Sequence, residues 1–141
     1  MQHLLFVCTG NTCRSPMAMA ILNHLVQQGR VQNVTAQSAG LYATGEPASP
    51  NAVTVLKNHG IILQNYKSKP LTNELILQSN KIYAMTPQHR QLMLQYGVLP
   101  EKVLVLGGGI ADPYGGNLNQ YEACYCQIYN SICSLFGVPA E

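Results

Sequence analysis

The sequence predicts an α/β fold: a three-layer sandwich in which a four-stranded parallel sheet is flanked by helices. Two observations predict it. Short apolar runs alternate with segments of helical periodicity, and the first of these runs ends in a glycine-containing loop. Such alternation is typical of βαβ units, whose right-handed crossovers place successive parallel strands in one sheet. We expect residues 1–141 to form a single domain, because this length is usual for one.

The first two strands are expected at 4–7 and 34–37, with a helix between them. Ser15 suits the N-cap of that helix, and Pro16 suits its first position, where a backbone N–H would remain unpaired anyway. Gly29 is expected to end the helix. Spacings of three and four predict an inward face made of Met17, Ala20, Ile21, His24 and Leu25.

Three helices are expected in the middle of the chain, each with a capping signal at its start. They follow Ser49-Pro50, Leu71-Thr72 and Thr86-Pro87. In the first of them, Val53, Val55 and Leu56 are expected to face the core. In the second, Leu75 and Ile76 are expected to pack.

The remaining two strands are expected at 81–85 and 103–106, and the chain ends in a long helix. Apolar residues recur through this helix at intervals of three and four, which predicts one continuous stripe. The stripe consists of Leu118, Tyr121, Tyr125, Ile128, Ile132 and Leu135.

Composition and charge exclude several classes of protein. The formal net charge of +2 is too small to indicate a nucleic acid or a membrane surface as partner. The apolar start lacks the features of a signal peptide, and no run approaches the roughly 18 residues of a membrane span. Five cysteines, an odd number without the pattern of a disulfide framework, favour a reducing cytoplasm. We therefore expect a cytoplasmic protein, and a monomer.

The most informative segment is the loop between the first strand and its helix, which reads Cys8-Thr9-Gly10-Asn11-Thr12-Cys13-Arg14-Ser15. The N–H groups of so short a loop can converge on an anion, and the helix start adds further donors. Gly10 is expected to supply the positive φ of the turn. Arg14 can hold two phosphate oxygens, and this environment favours a thiolate nucleophile at Cys8, to which Ser15 can donate a hydrogen bond.

Other interpretations explain fewer of these residues. A nucleotide-binding loop of the Gly-x-x-x-x-Gly-Lys type requires a lysine that is absent here. Zinc requires paired ligands, and Cys8 and Cys13 have no second pair at a useful spacing. An inert cysteine at a strand end stays open as an alternative, but it leaves Arg14 and the following Ser-Pro unexplained.

Asp112 is the only aspartate in the chain, and it lies in Asp112-Pro113-Tyr114-Gly115-Gly116. An aspartate beside proline and glycine is often only a turn residue. However, the loops that follow parallel strands share one edge of the sheet, where ligands bind. Asp112, after the fourth strand, is therefore expected near Cys8, where it can act as general acid and then as general base.

Cys-x-x-x-x-x-Arg-Ser together with Asp112-Pro113-Tyr114 resembles the low-molecular-weight protein-tyrosine phosphatases, and the resemblance spans essentially the whole chain. It implies hydrolysis of phosphorylated protein through a phosphocysteine, with phosphate bound at 9–15 and with no metal or cofactor. It also implies that Asn11 and Ser38 hydrogen-bond to hold the loop. Finally, it implies a reversible disulfide between Cys8 and Cys13 that protects the nucleophile; a small buried filler is the alternative role of Cys13.

Thr12 distinguishes two groups within this family. Tyrosine-directed members usually carry isoleucine at this place, whereas members similar to the bacterial protein-arginine phosphatases carry threonine. The segment after Asp112 agrees, because tyrosine-directed members tend to have a second aromatic residue where this chain has Gly115. Thr12 would orient the guanidinium or the attacking water, and Tyr114 would stack on the substrate. Phosphoarginine is favoured, and phosphotyrosine is the alternative.

The chain departs from the family in two places. Met19 stands where many relatives have glutamate. The glycine-rich segment 107–111 is shorter than usual, so Asp112 is expected to be less firmly held or to be held by a different loop geometry. Tyr42 and the segment 45–49 are expected to line the cleft. No role is assigned to His3, His24, His59 and His89.

Two rival functions are weaker. Arsenate reductase would need two further cysteines after the third strand, and 84–106 contains none. A module that only binds phosphoproteins could lose the nucleophile or the acid, and this chain has both Cys8 and Asp112.

Overall fold

The computed structural model describes residues 1–140 and has the predicted α/β architecture. One parallel sheet has the strand order β2-β1-β3-β4. The strands are β1 (Gln2–Cys8), β2 (Val34–Gly40), β3 (Lys81–Ala84) and β4 (Val103–Val105). The helices are α1 (Arg14–Gln27), α2 (Pro50–Asn58), α3 (Asn73–Gln78), α4 (Pro87–Gln95) and α5 (Leu118–Phe136).

The sheet separates two apolar layers, because successive side chains of a strand point to opposite faces. Leu4 and Phe6 of β1 belong to the larger cluster, which contains the buried faces of α1, α2 and α5. Leu5 and Val7 belong to the other cluster, with Met93 of α4 and partly buried side chains of α3. The three-layer sandwich is therefore confirmed.

Of the four predicted caps, those at Thr72 and Thr86 are confirmed and that at Ser15 is wrong. Ser49 is the N-cap residue of α2, but its side chain makes no capping hydrogen bond. Thr72 Oγ1 accepts the Leu75 amide at 3.2 Å, and Thr86 Oγ1 accepts the His89 amide at 3.1 Å. Helix α1, however, already begins at Arg14, and Ser15 lies inside it. The Ser15 hydroxyl does not cap because it bonds the side chains of the preceding loop instead.

The apolar faces of α1, α2 and α5 also differ from the prediction. His24 of α1 is only half-buried. In α2, Val53 is half-buried while Ala52 takes a core position. Leu118 and Leu135 of α5 are 40% and 42% exposed. These last two lie at the ends of a 19-residue helix that is longer than its neighbours α1 and α2, and Cys124 and Cys133 are buried within it instead.

The loop after β4 begins one residue earlier than predicted. Leu106 belongs to a tight 3-10 turn rather than to the strand, and Gly107 in that turn has φ of +55°. Within residues 1–140, no helix is long and apolar enough to cross a membrane.

Candidate active site

A cavity of about 270 Å³ opens at the carboxyl ends of the strands. Residues of the loops after β1, β2 and β4 form its wall, as expected for an open parallel sheet. The lining residues are Cys8, Thr9, Gly10, Thr12, Cys13, Arg14, Tyr42, Thr44, Glu46, Asp112 and Tyr114. The cavity thus brings together the three side chains to which the sequence assigns chemistry, and Tyr42 lines it as predicted.

The turn of the loop after β1 is made by Asn11 rather than by Gly10. Asn11 is fully buried and has φ of +59°, whereas Gly10 does not have a positive φ. Asparagine tolerates this conformation better than most residues. Here two hydrogen bonds hold it: Oδ1 accepts the Lys69 amide at 3.0 Å, and Nδ2 donates to Ser15 Oγ at 2.7 Å.

Ser15 connects this turn to the candidate nucleophile. Its Oγ lies 2.9 Å from Cys8 Sγ. Because the same oxygen accepts the Asn11 amide hydrogen, the hydroxyl hydrogen of Ser15 is available to the sulfur. Helix α1 has no side-chain cap, so the first N–H groups of this helix also remain available at the loop.

Arg14 is 4% exposed and is held by residues of the loop after β4. Its Nη1 donates to the Ile110 carbonyl at 3.0 Å, and its Nη2 lies 3.5 Å from Asp112 Oδ2. Its Nε is buried and has no acceptor among residues 1–140. Leaving a buried donor unpaired is costly, and a bound oxyanion would satisfy it.

Asp112 occupies the mouth of the cavity, and its side chain is 53% exposed. Its Oδ1 accepts the Tyr114 amide at 3.0 Å, so the residue also makes the turn that its sequence context indicates. The turn and the contact with Arg14 therefore coexist. Tyr114 is 78% exposed, and it too lines the cavity.

The Tyr66 hydroxyl contacts both Asn11 and Ser38, and no sequence motif indicates a role for this tyrosine. The Tyr66 hydroxyl donates to the Asn11 carbonyl at 2.8 Å and lies 3.2 Å from Ser38 Oγ. Burial raises the pKa of Tyr66, so its hydroxyl keeps the proton that it donates. Ser38 Oγ also lies 3.6 Å from Met19 Sδ. A tyrosine in a polar loop carries no sequence signal of such a contact.

Cys13 lines the cavity and also contacts two elements outside the loop. Its Sγ lies 3.3 Å from Tyr121 Oη and 3.4 Å from Ser49 Oγ, which ties the loop to α5 and to the start of α2. Burial, together with the Cys13 contact, raises the pKa of Tyr121 to about 12. Cys8 and Cys13 are both free thiols in this structure, and their disulfide stays a prediction.

His89 is a second residue at the cavity for which the sequence indicates no role. It is 6% exposed, and its Nε2 lies 2.8 Å from Thr9 Oγ1, so it contacts the cavity wall from behind. Burial and the nearby positive charge of Arg14 lower the pKa of His89, while Asp112 acts in the opposite direction. The two partners are 80 residues apart in the sequence, and no motif connects them.

Comparisons with known proteins cover nearly the whole chain. Residues 3–139 match the family described as low molecular weight phosphotyrosine protein phosphatase. A protein-arginine-phosphatase of Bacillus subtilis is 40% identical over 128 residues, which are 84% of each chain. The low molecular weight protein-tyrosine-phosphatase PtpB of Staphylococcus haemolyticus is 34% identical over 145 residues, which are 94% of this chain and 96% of PtpB.

A solved structure has the same fold. It is a cysteine-to-serine variant of the arginine phosphatase YwlE with a phosphorylated active-site serine. It is 35% identical to this chain and has a TM-score of 0.90. The match covers 96% of this chain and 94% of the YwlE chain.

The fold and these matches define a protein phosphatase, a hydrolase of phosphorylated side chains. This chain belongs to the low molecular weight protein phosphatase family. Relatives named for arginine and for tyrosine both match it, so family membership does not decide between the two substrates.

Proposed function

We propose that this phosphatase hydrolyses phosphoarginine in proteins, with Cys8 as nucleophile, Arg14 as phosphate clamp and Asp112 as general acid. One observation carries the assignment of these roles: the three side chains line one cavity. The buried Nε of Arg14, which has no protein acceptor among the described residues, agrees with a phosphate bound there. The amides of 9–15 complete the proposed phosphate site. No group of three or more metal-ligating side chains occurs within residues 1–140, and the proposed reaction needs none.

The reaction proceeds in two displacements. The Cys8 thiolate attacks phosphorus, so that a P–S bond forms as the P–N bond breaks, and the Asp112 carboxyl group gives its proton to the leaving nitrogen. The Asp112 carboxylate then takes a proton from water. The oxygen of that water attacks phosphorus, which expels the thiolate and releases inorganic phosphate. The exposure of Asp112 suits this role, because both the leaving group and water can reach it.

The wall of the cavity favours a guanidino group over an aryl ring. Thr9, Thr12, Thr44 and Glu46 line the cavity, and each has a side-chain oxygen that can accept hydrogen bonds. Thr12 is half-buried, and the Ser49 amide holds its backbone carbonyl at 2.9 Å. The arginine phosphatase of Bacillus subtilis supports the same choice. Phosphotyrosine is the second candidate, because the exposed rings of Tyr42 and Tyr114 could enclose an aryl group.

The test compares two peptides of one sequence, phosphorylated on arginine or on tyrosine. We expect the wild type to have the higher kcat/KM on phosphoarginine. We expect Thr12→Ile to reduce that preference by roughly tenfold or more, because apolar bulk replaces a polar group. Thr54→Ile, on the exposed surface of α2, is the matched control.

Each assignment fails on a different result. A wild-type preference for phosphotyrosine contradicts the arginine assignment and leaves the phosphatase chemistry intact. Hydrolysis by Cys8→Ser contradicts the assignment of the nucleophile. An unchanged preference in Thr12→Ile contradicts the role of Thr12 alone.

A further inference from the structure

The contact between His89 and Thr9 has no part in the reaction described above. Thr9 follows Cys8 directly and lines the cavity, while His89 lies in the first turn of α4. The Nε2–Oγ1 distance of 2.8 Å makes this a hydrogen bond between a buried ring and a hydroxyl on the cavity wall. Because Thr9 lies beside Cys8, the contact can influence how the substrate is bound at the sulfur.

The surroundings of His89 indicate which atom donates. Its Nδ1 is buried and has no partner among residues 1–140. A buried N–H without an acceptor is rarer than a lone pair without a donor, so we assign the hydrogen to Nε2. His89 then donates to Thr9. Burial lowers the pKa of His89, which agrees with a neutral ring.

Thr9 Oγ1 keeps one lone pair and its own hydrogen after it accepts the His89 bond. A phosphorylated guanidino group presents several N–H donors at the cavity wall, whereas the ring of an aryl phosphate presents none. We propose that Thr9 accepts a hydrogen bond from the guanidino group of the substrate, and that His89 is the positioning residue that orients the Thr9 hydroxyl. This inference rests on the proposed phosphoarginine activity.

The test measures one ratio: kcat/KM on a phosphoarginine peptide divided by kcat/KM on an aryl phosphate. Thr9→Val removes the hydroxyl at nearly constant shape, and Thr9→Ser retains it. His89→Leu removes the donor, and His89→Gln retains an amide donor. The chain offers a matched control, because His3 Nδ1 lies 2.8 Å from Thr35 Oγ1 at the opposite end of β1. The control variants are Thr35→Val and His3→Gln.

We expect Thr9→Val and His89→Leu each to lower this ratio roughly tenfold, the size of one lost hydrogen bond. Thr9→Ser and His89→Gln should recover most of it, and the controls should leave it unchanged. The double variant Thr9→Val/His89→Leu should be no worse than either single variant, because both remove the same interaction.

Two results overturn the inference. An equal loss on both substrates means that the pair only supports the fold, and an unchanged ratio means that Thr9 does not contact the guanidino group. If His89→Leu does not fold, Thr9→Val and Thr9→Ser decide the question. Failure of the proposed function is separate and visible first, since the wild type would then prefer the tyrosine-phosphorylated peptide.

Discussion

The two loops that meet at the cavity are built in different ways. In the loop after β1, Asn11 is fully buried and Arg14 is 4% exposed, and both are held by buried hydrogen bonds. In the loop after β4, the tip is open: the Asp112 side chain is 53% exposed and Tyr114 is 78% exposed. The base of this second loop is buried, and there the Ile110 amide donates to the Met85 carbonyl at 2.7 Å.

Under the proposed mechanism, this difference separates phosphate binding from proton transfer. A cradle for an oxyanion stabilises charge most effectively when its donors are oriented before the substrate arrives. A residue that exchanges protons with a leaving group and with water must remain accessible to both. The closed first loop and the open second loop suit these two tasks.

The largest effect is expected from a substitution in the open loop. Asp112→Asn should lower kcat by roughly 10²–10⁴-fold, because the general acid is lost. Inhibition by inorganic phosphate should be unchanged or slightly stronger, since the closed loop is intact and one negative charge is gone. Glu122→Gln is the control for the lost charge. Glu122 lies on α5, and its Oε1 is 2.6 Å from His59 Nε2. A matching loss of phosphate affinity would contradict the separation of tasks.

The next effect concerns the closed loop. A Cβ at Gly40 would lie 2.8 Å from the Thr9 carbonyl oxygen and 2.9 Å from the Asn11 amide nitrogen. Gly40→Ala should therefore displace the cradle, lowering the free energy of unfolding by about 1–3 kcal/mol and weakening phosphate binding. Urea unfolding and phosphate inhibition measure the two effects.

Gly10→Ala provides the control in the same loop. The nearest atom to its Cβ is Thr12 Oγ1 at 3.7 Å, and no positive φ opposes the change. It should be tolerated. Equal damage from the two substitutions would mean that the close approach of β2 does not shape the cradle.

A smaller effect is expected where a single bond supports the closed loop. Tyr66→Phe removes the hydroxyl that donates to the Asn11 carbonyl, which should lower the free energy of unfolding by about 1 kcal/mol. Phosphate inhibition should weaken in parallel, because Asn11 positions Ser15. Tyr96→Phe, exposed at the end of α4, should change neither quantity. If the two variants behave alike, Tyr66 does not hold the turn.

The smallest effect is a dependence of stability on pH through His89. Its pKa is lowered from 6.5 in the folded protein, first by burial and then by Arg14, against the opposing charge of Asp112. The unfolded state therefore binds this proton more readily. Stability due to His89 should be fully present above about pH 6.5 and should be lost as pH falls below it.

Urea unfolding of the wild type and of His89→Gln checks this sign. The advantage of the wild type over His89→Gln should shrink on acidification. Parallel curves for His89→Gln would contradict the assignment.

The elements that the sequence predicts well depend on neighbouring residues. The caps at Thr72 and Thr86 act over three residues, and the spacing of Cys8, Arg14 and Ser15 lies within one short loop. The meeting of Asp112 with this loop follows from a rule of topology, because parallel strands place their following loops at one edge of the sheet.

Other features depend on contacts between distant segments. Asn11 replaces Gly10 as the left-handed residue because the Lys69 amide, 58 residues away, stabilises its side chain. The start of α1 at Arg14 follows from the same buried network, which draws the Ser15 hydroxyl away from the cap. Tyr66 and His89 reach the loop from 55 and 80 residues away.

The order of the amino acids alone determined the fold class, the loop that brings Cys8, Arg14 and Ser15 together, and the presence of a single aspartate after the fourth strand. Tertiary structure decided which residues hold that loop, how exposed the aspartate is, and which imidazole reaches the cavity wall. The physical reason is the range of the interactions: capping and loop closure act between neighbours in the chain, whereas burial and hydrogen bonding across the core arise only when the layers pack.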